Sequence, residues 1–294
     1  MDITDPYARA LEHQVSRMLE LATARHPQFL NDCLTDPWLI AEKWGGQPGG
    51  NLCIDRVDSI VSSGLAEQND TVVDDQHDLL GLFRPAMGSE HVNRIEVQYE
   101  LHDYTARRNF TLLHEIGHYL QQTSDELVDN LISISSLNTD KRFEEEACNR
   151  FASVSLLPRS YVETNLHGGI VDADVARRMY EQSRKSNRSK KIIRVSRPAI
   201  ARRLADFLAY EGSVALVYGD RLELRAHRNG RIDYEGGLTA AETSMIGLMR
   251  GASSRSEHIF RPFISEGGAK VFASIADTPA GRNPRYFIVT QFIE

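Results

Sequence analysis

The stretch FTLLHEIGHYL at residues 110–120 constrains this chain more than any other part of its sequence. It places His114 and His118 four positions apart, with Glu115 directly after the first histidine. The surrounding apolar residues recur at helical spacing, which predicts a helix over about residues 105–122. Side chains at positions i and i+4 of a helix lie on the same face, so both imidazoles can reach one metal ion.

The H-E-x-x-H spacing has a chemical reason in zinc enzymes. Zinc binds imidazole nitrogen at about 2.0–2.1 Å and prefers four ligands in a tetrahedral arrangement. A bound zinc ion lowers the pKa of water to about 7, and Glu115 is placed to accept the proton as general base. Gly117 costs a helix about 1 kcal/mol relative to Ala, which suggests close backbone approach there. The alternative is two partly buried helix histidines beside a solvated glutamate, because the pattern also arises by chance.

A catalytic zinc ion needs a third protein ligand and one open position. A second helix is predicted over about residues 141–157 and contains FEEEACNRFA at residues 143–152. Only one of its three consecutive glutamates is expected to point toward a given site, and the alternative is a solvated acidic face. Asn149 lies one helical turn after Glu145 and is a candidate hydrogen-bond partner for a zinc-bound histidine.

The two blocks together resemble the IrrE/ImmA family of zinc metallopeptidases. Members carry F-T-x-x-H-E-x-G-H, then E-x-x-A/C-N-x-F-A and an end in leucine, leucine, methionine and proline. In this chain the end at residues 156–158 lacks the methionine. The resemblance covers about residues 1–210 and is strongest over 105–158. It implies one catalytic Zn²⁺ ion, held by His114, His118 and Glu145, with Glu115 as the catalytic base.

The sequence predicts an α+β protein in three parts. Residues 1–165 are predicted, through the resemblance, to form a zincin-like metallopeptidase domain. Residues 166–212 are a basic helical segment, in which VSRPAIARRLADFLA resembles the second helix of the helix-turn-helix that follows the peptidase core in this family. Residues 213–294 combine short alternating strands with one helix and are predicted to form an α/β domain of GAF- or PAS-like, sensor type. Asn229-Gly230 within this part is typical of a hairpin turn.

The formal net charge of the 294 residues is −7, so contact with nucleic acid requires a local basic patch. One strongly basic stretch is expected to contact phosphate, and its alternative is a solvated linker. The candidate nucleic-acid-binding residues are Arg184, Lys185, Arg188, Lys190, Lys191 and Arg194.

The sequence predicts no signal peptide and no membrane-spanning stretch. Its three cysteines are odd in number and far apart, which argues against a disulfide framework and predicts a reducing, cytoplasmic location. Cys53 follows a glycine-rich stretch at residues 45–51, and a small buried apolar residue is its ordinary role. Because zinc binds thiolate strongly, Cys53 is also a candidate inhibitory fourth ligand that would displace the catalytic water.

The leading hypothesis is an intracellular zinc endopeptidase. Enzymes that this chain resembles cleave a helix-turn-helix transcriptional repressor and so release DNA-damage, mobile-element or anti-phage defence genes. The predicted architecture is most similar to the IrrE and CapP-type members, which implies DNA damage or single-stranded DNA as the activating signal. No membrane partner is expected, because the sequence predicts no membrane-spanning stretch. One alternative is a DNA-binding transcriptional regulator whose zinc site is structural or inert. Another is a peptidase of short peptides without control by DNA.

Overall fold

A computed structural model describes residues 6–45, 51–58, 60, 81–87, 91–98, 105–135, 140–166, 168–184, 195–234, 236–252, 258–264, 268, 270–278 and 284–293. Its mixture of helices and sheets is the α+β class that the sequence predicts. Contacts divide the chain into two compact units, an N-terminal unit ending at Pro158 and a C-terminal unit beginning at Arg159. None of the helices within the described ranges combines the length and apolar character that a membrane span requires.

The N-terminal unit packs helices around a three-stranded sheet. Its helices are α1 (Pro6–Arg25), α2 (Phe29–Thr35), α3 (Trp38–Trp44), α4 (Thr105–Thr123), α5 (Asp125–Ser135) and α6 (Asp140–Leu156). Its strands are β1 (Leu52–Val57), β2 (Gly81–Arg84) and β3 (Asn93–Gln98). The order in the sheet is β1-β3-β2, with β1 parallel and β2 antiparallel to the central strand β3.

The two faces of this sheet differ because side chains alternate along each strand. Ile95 and Val97 of β3 are buried, and they pair with Phe83 and Gly81 of β2 on the face that α4 covers. The other face carries the buried Leu82 and polar pairs, with Asp55 and Arg94 3.6 Å apart and Arg84 bonded to Glu96 at 3.2 Å. The register of the sheet therefore decides which side chains can approach α4.

Helices α4 and α6 approach closely at Gly117. A Cβ atom at this position would lie 3.0 Å from Cys148 Sγ and 3.2 Å from Cys148 Cα, closer than most real Cβ contacts. The prediction of close backbone approach at Gly117 is confirmed. This approach brings one face of α4, which carries the paired histidines, against the glutamates of α6.

A buried carboxylate joins the first three helices of the unit. Asp32 is only 5% exposed, and its Oδ2 lies 2.5 Å from Lys43 Nζ and 2.6 Å from His26 Nε2. Burial acts to raise the pKa of Asp32, but hydrogen bonds from Lys43 and His26 outweigh it and hold the pKa below its ordinary value. The ionised carboxylate is thus part of what holds α2 to its neighbours.

Replacing Asp32 with Asn is expected to lower the free energy of unfolding at pH 7 by roughly 1.5–3 kcal/mol, the usual range for a hydrogen bond to a charged group. A depressed native pKa stabilises the fold above the unfolded-state pKa of about 3.9 and ceases to do so as pH falls through the native value. The difference in the free energy of unfolding between the native protein and Asp32→Asn should therefore become smaller below about pH 4. Urea unfolding at pH 7 and below about pH 4 measures this difference. Glu42→Gln, at an exposed position, serves as control.

The C-terminal unit is built on a six-stranded antiparallel sheet of order β6-β5-β4-β9-β8-β7. Its helices are α7 (Arg159–Asn165), α8 (Ala173–Arg184), α9 (Arg197–Ala205) and α10 (Ala240–Gly251). Its strands are β4 (Gly212–Tyr218), β5 (Arg221–His227), β6 (Ile232–Asp233), β7 (His258–Ile264), β8 (Lys270–Thr278) and β9 (Arg285–Ile293). The predicted hairpin is confirmed between β5 and β6, where Gly230 has a φ of 86°.

Helices cover both faces of this sheet. Ser274 of β8 accepts a hydrogen bond from the backbone N–H of Ala173 in α8 at 2.9 Å. Its neighbours Ala273 and Ile275 point to the opposite face and pack against Met245 of α10. Helices α8 and α9 thus belong to the C-terminal unit, whereas the sequence placed them in a separate segment ending at residue 212. A GAF- or PAS-like identity of this unit stays a prediction.

Helix α9 is the candidate second helix of a helix-turn-helix. The predicted N-cap is confirmed, since Ser196 Oγ accepts a hydrogen bond from the backbone N–H of Ala199 at 3.2 Å. Most residues of α9 are buried, including Arg197, which donates to Thr278 Oγ1 at 3.0 Å, and Arg203. A recognition helix needs side chains that can enter a groove of DNA. The structure therefore does not present α9 as an exposed recognition helix.

Candidate metal centre

Three side chains from two helices converge on one point. His114 and His118 of α4 approach each other with their Nε2 atoms 3.1 Å apart. Glu145 of α6 completes the group, with Oε2 3.3 Å from His114 Nε2 and Oε1 3.2 Å from His118 Nε2. Within the described parts of the chain, these three residues form the one cluster of His, Cys, Asp and Glu that could hold a metal ion.

The distances within this cluster fit a tetrahedral zinc ion. Two ligand atoms at about 2.0–2.1 Å from zinc, with a tetrahedral angle between them, lie about 3.3 Å apart. The two histidine nitrogens are 3.1 Å apart, and each lies close to that edge length from one Glu145 oxygen, His118 Nε2 at 3.2 Å from Oε1 and His114 Nε2 at 3.3 Å from Oε2. Two imidazoles and one carboxylate are also a donor set of catalytic zinc sites, in which three protein ligands leave the fourth position open. The residues therefore fit zinc in geometry and in chemistry.

Glu144 fixes the orientation of His118. Its Oε1 lies 2.8 Å from His118 Nδ1 and also accepts a hydrogen bond from Gln122 Nε2 at 2.8 Å. Because an ionised carboxylate only accepts hydrogen bonds, Nδ1 carries the proton and the neutral ring leaves the Nε2 lone pair for a metal. The sequence had allowed a single glutamate of the EEE run at the site. That expectation was wrong, because Glu144 and Glu145 contact opposite nitrogens of the same ring.

Replacing Glu144 with Gln is expected to weaken zinc binding by roughly 10–100-fold, the usual effect of removing such a partner of a metal-ligating histidine. The amide still fills the space but no longer holds the proton on Nδ1 with a charge. Competition with a chromophoric chelator measures the affinity. The matched control is Glu146→Gln on the same helix, because Glu146 bonds Tyr7 and Arg142 instead of a histidine. Equal zinc affinity in both variants would contradict the role of Glu144.

The charges of the centre act on one another. Burial acts to raise the pKa of Glu145, but hydrogen bonds and charge interactions with the two histidines lower it to about 2. Burial likewise acts to lower the pKa of His118, yet contacts with Cys148, Glu144 and Glu145 raise it well above its ordinary value. A metal ion bound at Nε2 would replace the second proton that these acidic contacts favour, and the ring would then be neutral. His114 Nδ1 is buried and has no hydrogen-bond partner within the described ranges. The centre is thus a compact acidic cluster suited to a cation.

Glu115 lies beside the three ligands without being one of them. It is 6% exposed, and burial raises the pKa of its carboxyl group, while the nearby histidines and a backbone hydrogen bond from Phe83 act to lower it. Its carboxylate also lies against Gly81 at the start of β2. Neither Gly81 nor β2 was predicted from the sequence. The signal in the sequence that could have indicated this strand is GLFR, a glycine followed by two apolar residues and an arginine.

Two further predicted site residues are not members of the ligand cluster. The nitrogens of His118 are engaged by Glu144, Glu145 and His114, and His114 Nδ1 has no partner within the described ranges, so a hydrogen bond from Asn149 to a histidine stays a prediction. Cys53 pairs with Arg94 in the sheet, and its Sγ lies 3.1 Å from Asp55 Oδ2 on the polar face, away from α4. An inhibitory Cys53 ligand is not supported by this geometry, because the strand would have to leave its register.

The predicted nucleic-acid-binding residues are only partly described. Arg184 ends α8, is exposed, and donates to Tyr180 Oη at 3.2 Å. The remaining candidates, Lys185, Arg188, Lys190, Lys191 and Arg194, lie outside the described residues. Contact of this stretch with nucleic acid stays a prediction.

The chain is similar to one protein family over part of its length and to a solved structure. No curated protein matches the chain. A solved structure of a Mycobacterium tuberculosis transcriptional regulator is similar to it, with a TM-score of 0.48 and 13% identity, over 98% of this chain and 94% of that chain. The model of the Peptidase_M78 family, described as IrrE N-terminal-like domain, matches residues 88–204. The matched segment is the one that supplies both histidines, Glu115 and Glu145, so the part of the chain that carries the cluster is similar to an IrrE N-terminal-like domain.

Proposed function

We propose that this protein is a zinc-dependent endopeptidase that hydrolyses a peptide bond in a partner helix-turn-helix transcriptional repressor. The convergence of His114, His118 and Glu145 beside a buried Glu115 carries the proposal. A structural zinc site is closed by four protein ligands and needs no neighbouring general base. This centre offers three ligands and a carboxylate that is free of the ligand set, as a hydrolytic site requires.

Each residue of the centre would have its own role in the hydrolysis. Zinc, when bound to the two histidines and Glu145, supplies a Lewis acid that polarises a carbonyl and acidifies water. Glu115 accepts the proton of the attacking water and returns it to the departing amine. Its raised pKa suits both steps near neutral pH, because a base that is too acidic holds the proton poorly. Glu144 keeps His118 in the tautomer that binds metal.

The choice of substrate and the control of activity belong to the same proposal. The match to an IrrE N-terminal-like domain supports a repressor as substrate. The enzymes that this chain resembles cleave helix-turn-helix repressors. Cleavage would derepress stress-response or anti-phage defence genes after DNA damage, with single-stranded DNA as activator and the C-terminal unit as sensor. Cys33, Cys53 and Cys148 are free thiols, which is consistent with a reducing cytoplasm.

The test is cleavage of a candidate repressor by the purified full-length protein, with and without single-stranded DNA. We expect one zinc ion per chain by elemental analysis and cleavage that 1,10-phenanthroline stops, whereas the non-chelating 1,7 isomer does not. Bound zinc without cleavage, together with sequence-specific DNA binding, would favour the regulator alternative. Cleavage that is unchanged when Arg184, Lys185, Lys190 and Lys191 are replaced by Glu would favour a peptidase without DNA control.

A further inference from the structure

Gly81, the first residue of β2, is buried where the strand crosses α4. A Cβ atom at this position would lie 2.4 Å from Thr111 Cγ2, 2.6 Å from Glu115 Oε1 and 2.9 Å from Glu115 Cγ. Real Cβ atoms essentially never make contacts this short, so any larger residue must displace these side chains. Thr111 and Glu115 are one helical turn apart, so the missing side chain of Gly81 faces one stripe of α4.

Close approach at other glycines has different partners. A Cβ atom at Gly45 would lie 2.7 Å from the backbone oxygen of Ala41, and one at Gly117 would meet Cys148 at 3.0 Å. Neither contact involves Glu115. At Gly81, by contrast, the space that a side chain would fill is occupied by the carboxylate itself. The same strand supplies the backbone hydrogen bond from Phe83 to that carboxylate.

We propose that Gly81 is a positioning residue for Glu115. Its missing side chain leaves the space in which the carboxylate lies, and it lets β2 approach α4 closely enough for the Phe83 backbone to bind that carboxylate. The strand then holds the general base from one side, while the helix places it beside the ligands. The catalytic part of this inference rests on the proposed peptidase function; the placement of Glu115 does not.

The activity test uses Gly81→Ala in the full-length, zinc-loaded protein. A displacement of about 1 Å at a reacting group is expected to lower kcat by roughly 100-fold. KM and zinc affinity should stay near their native values, because the three atoms nearest to a Cβ at Gly81 belong to Thr111 and Glu115 and not to a ligand. Gly45→Ala is the matched control, since it crowds a backbone atom of the same unit and should lower the melting temperature without this loss of kcat.

A second test needs no enzymatic activity. All four proteins of this test carry Thr111→Ser, because the Thr111 methyl group would also collide with a Cβ atom at position 81. They are the Thr111→Ser protein itself, and the same protein with Gly81→Ala, with Glu115→Ala, and with both replacements. If the new methyl group collides with the Glu115 side chain, Gly81→Ala should lower the melting temperature far less in the Glu115→Ala background. Gly45→Ala should give the same loss in both backgrounds.

The outcomes separate this inference from the proposed function. Coupling between positions 81 and 115 supports the placement even if no repressor is cleaved, a result that would count against the peptidase proposal alone. Additive losses of melting temperature would overturn the inference, as would native kcat in Gly81→Ala. If Gly81→Ala does not fold, the double variant with Glu115→Ala should recover folding. Failure of both to fold would also overturn it.

Discussion

Replacing Glu115 with Gln is expected to lower kcat/KM for repressor cleavage by roughly 10²–10⁴-fold, the usual contribution of a general acid–base. The amide has the size of the carboxylate and can still accept a hydrogen bond from the Phe83 backbone. It cannot take a proton from water at neutral pH. Zinc should remain bound at one ion per chain, because Glu115 is not one of the three ligands.

The stability of this variant gives an independent check. Glu115 is 6% exposed, and burial disfavours its charged form. A neutral amide avoids the cost of burying a carboxylate, so the melting temperature should be unchanged or higher. Glu126→Gln, at an exposed position of α5, is the control and should cleave at the native rate. Native cleavage by Glu115→Gln would exclude Glu115 as the base, and loss of zinc would show that it is a ligand.

The metal centre was accessible to sequence reasoning because most of it is local. An i, i+4 spacing fixes the relation between His114 and His118 once the helix is assigned. The two helices were predicted within one residue or so of α4 (Thr105–Thr123) and α6 (Asp140–Leu156). The role of Glu145, however, came from the resemblance. Nothing local distinguishes it from its neighbours, since the choice depends on how α6 is rotated against α4.

The features that sequence reasoning missed depend on contacts between distant segments. Glu144 reaches His118 only because Gly117 lets α6 approach α4. Strand β2 (Gly81–Arg84) is four residues long, too short for periodicity to indicate it, and pairing with β3 decides that it forms. The surroundings of Cys53 also depend on a distant segment, because the register of its strand decides on which face of the sheet its side chain lies.

Helix α9 is a case in which the local pattern was confirmed, whereas its role as part of a helix-turn-helix stays a prediction. Ser196 caps a basic helix, as predicted. Basic residues in a helix suggest a surface for phosphate, yet Arg197 is 6% and Arg203 5% exposed. Arg197 lies over the ring of Tyr180, 4.0 Å from its centroid. Burial by the sheet of the C-terminal unit, which no local pattern reveals, determines what these arginines contact.

Replacing Glu242 with Ala is expected to lower the stability of the C-terminal unit by roughly 3–5 kcal/mol, the cost of removing one partner of a buried ion pair. Glu242 is 0% exposed, and its two oxygens accept from Arg225 Nε at 2.8 Å and Arg225 Nη2 at 2.5 Å. The same carboxylate accepts the backbone N–H of Thr239 at 2.8 Å, which completes a capping box at the start of α10. Its loss leaves a buried guanidinium without this carboxylate and removes one of the two hydrogen bonds of the capping box, while Thr239 Oγ1 still accepts the backbone N–H of residue 242.

Thermal unfolding of the full chain measures this loss, which should shift the transition of the C-terminal unit by about 10 °C or more. Glu211→Ala is the matched control: Glu211 pairs with Arg228 at 3.3 Å, but its side chain is 68% exposed, so little stability should be lost. The paired replacement Arg225→Met with Glu242→Leu should recover much of the loss, because it removes both charges together. A melting temperature for Glu242→Ala equal to that of Glu211→Ala would show that the buried pair does not hold α10 to the sheet. The stability of the proposed sensor would then depend on its apolar core alone, where Met245 and Ile246 of α10 pack against Ile275.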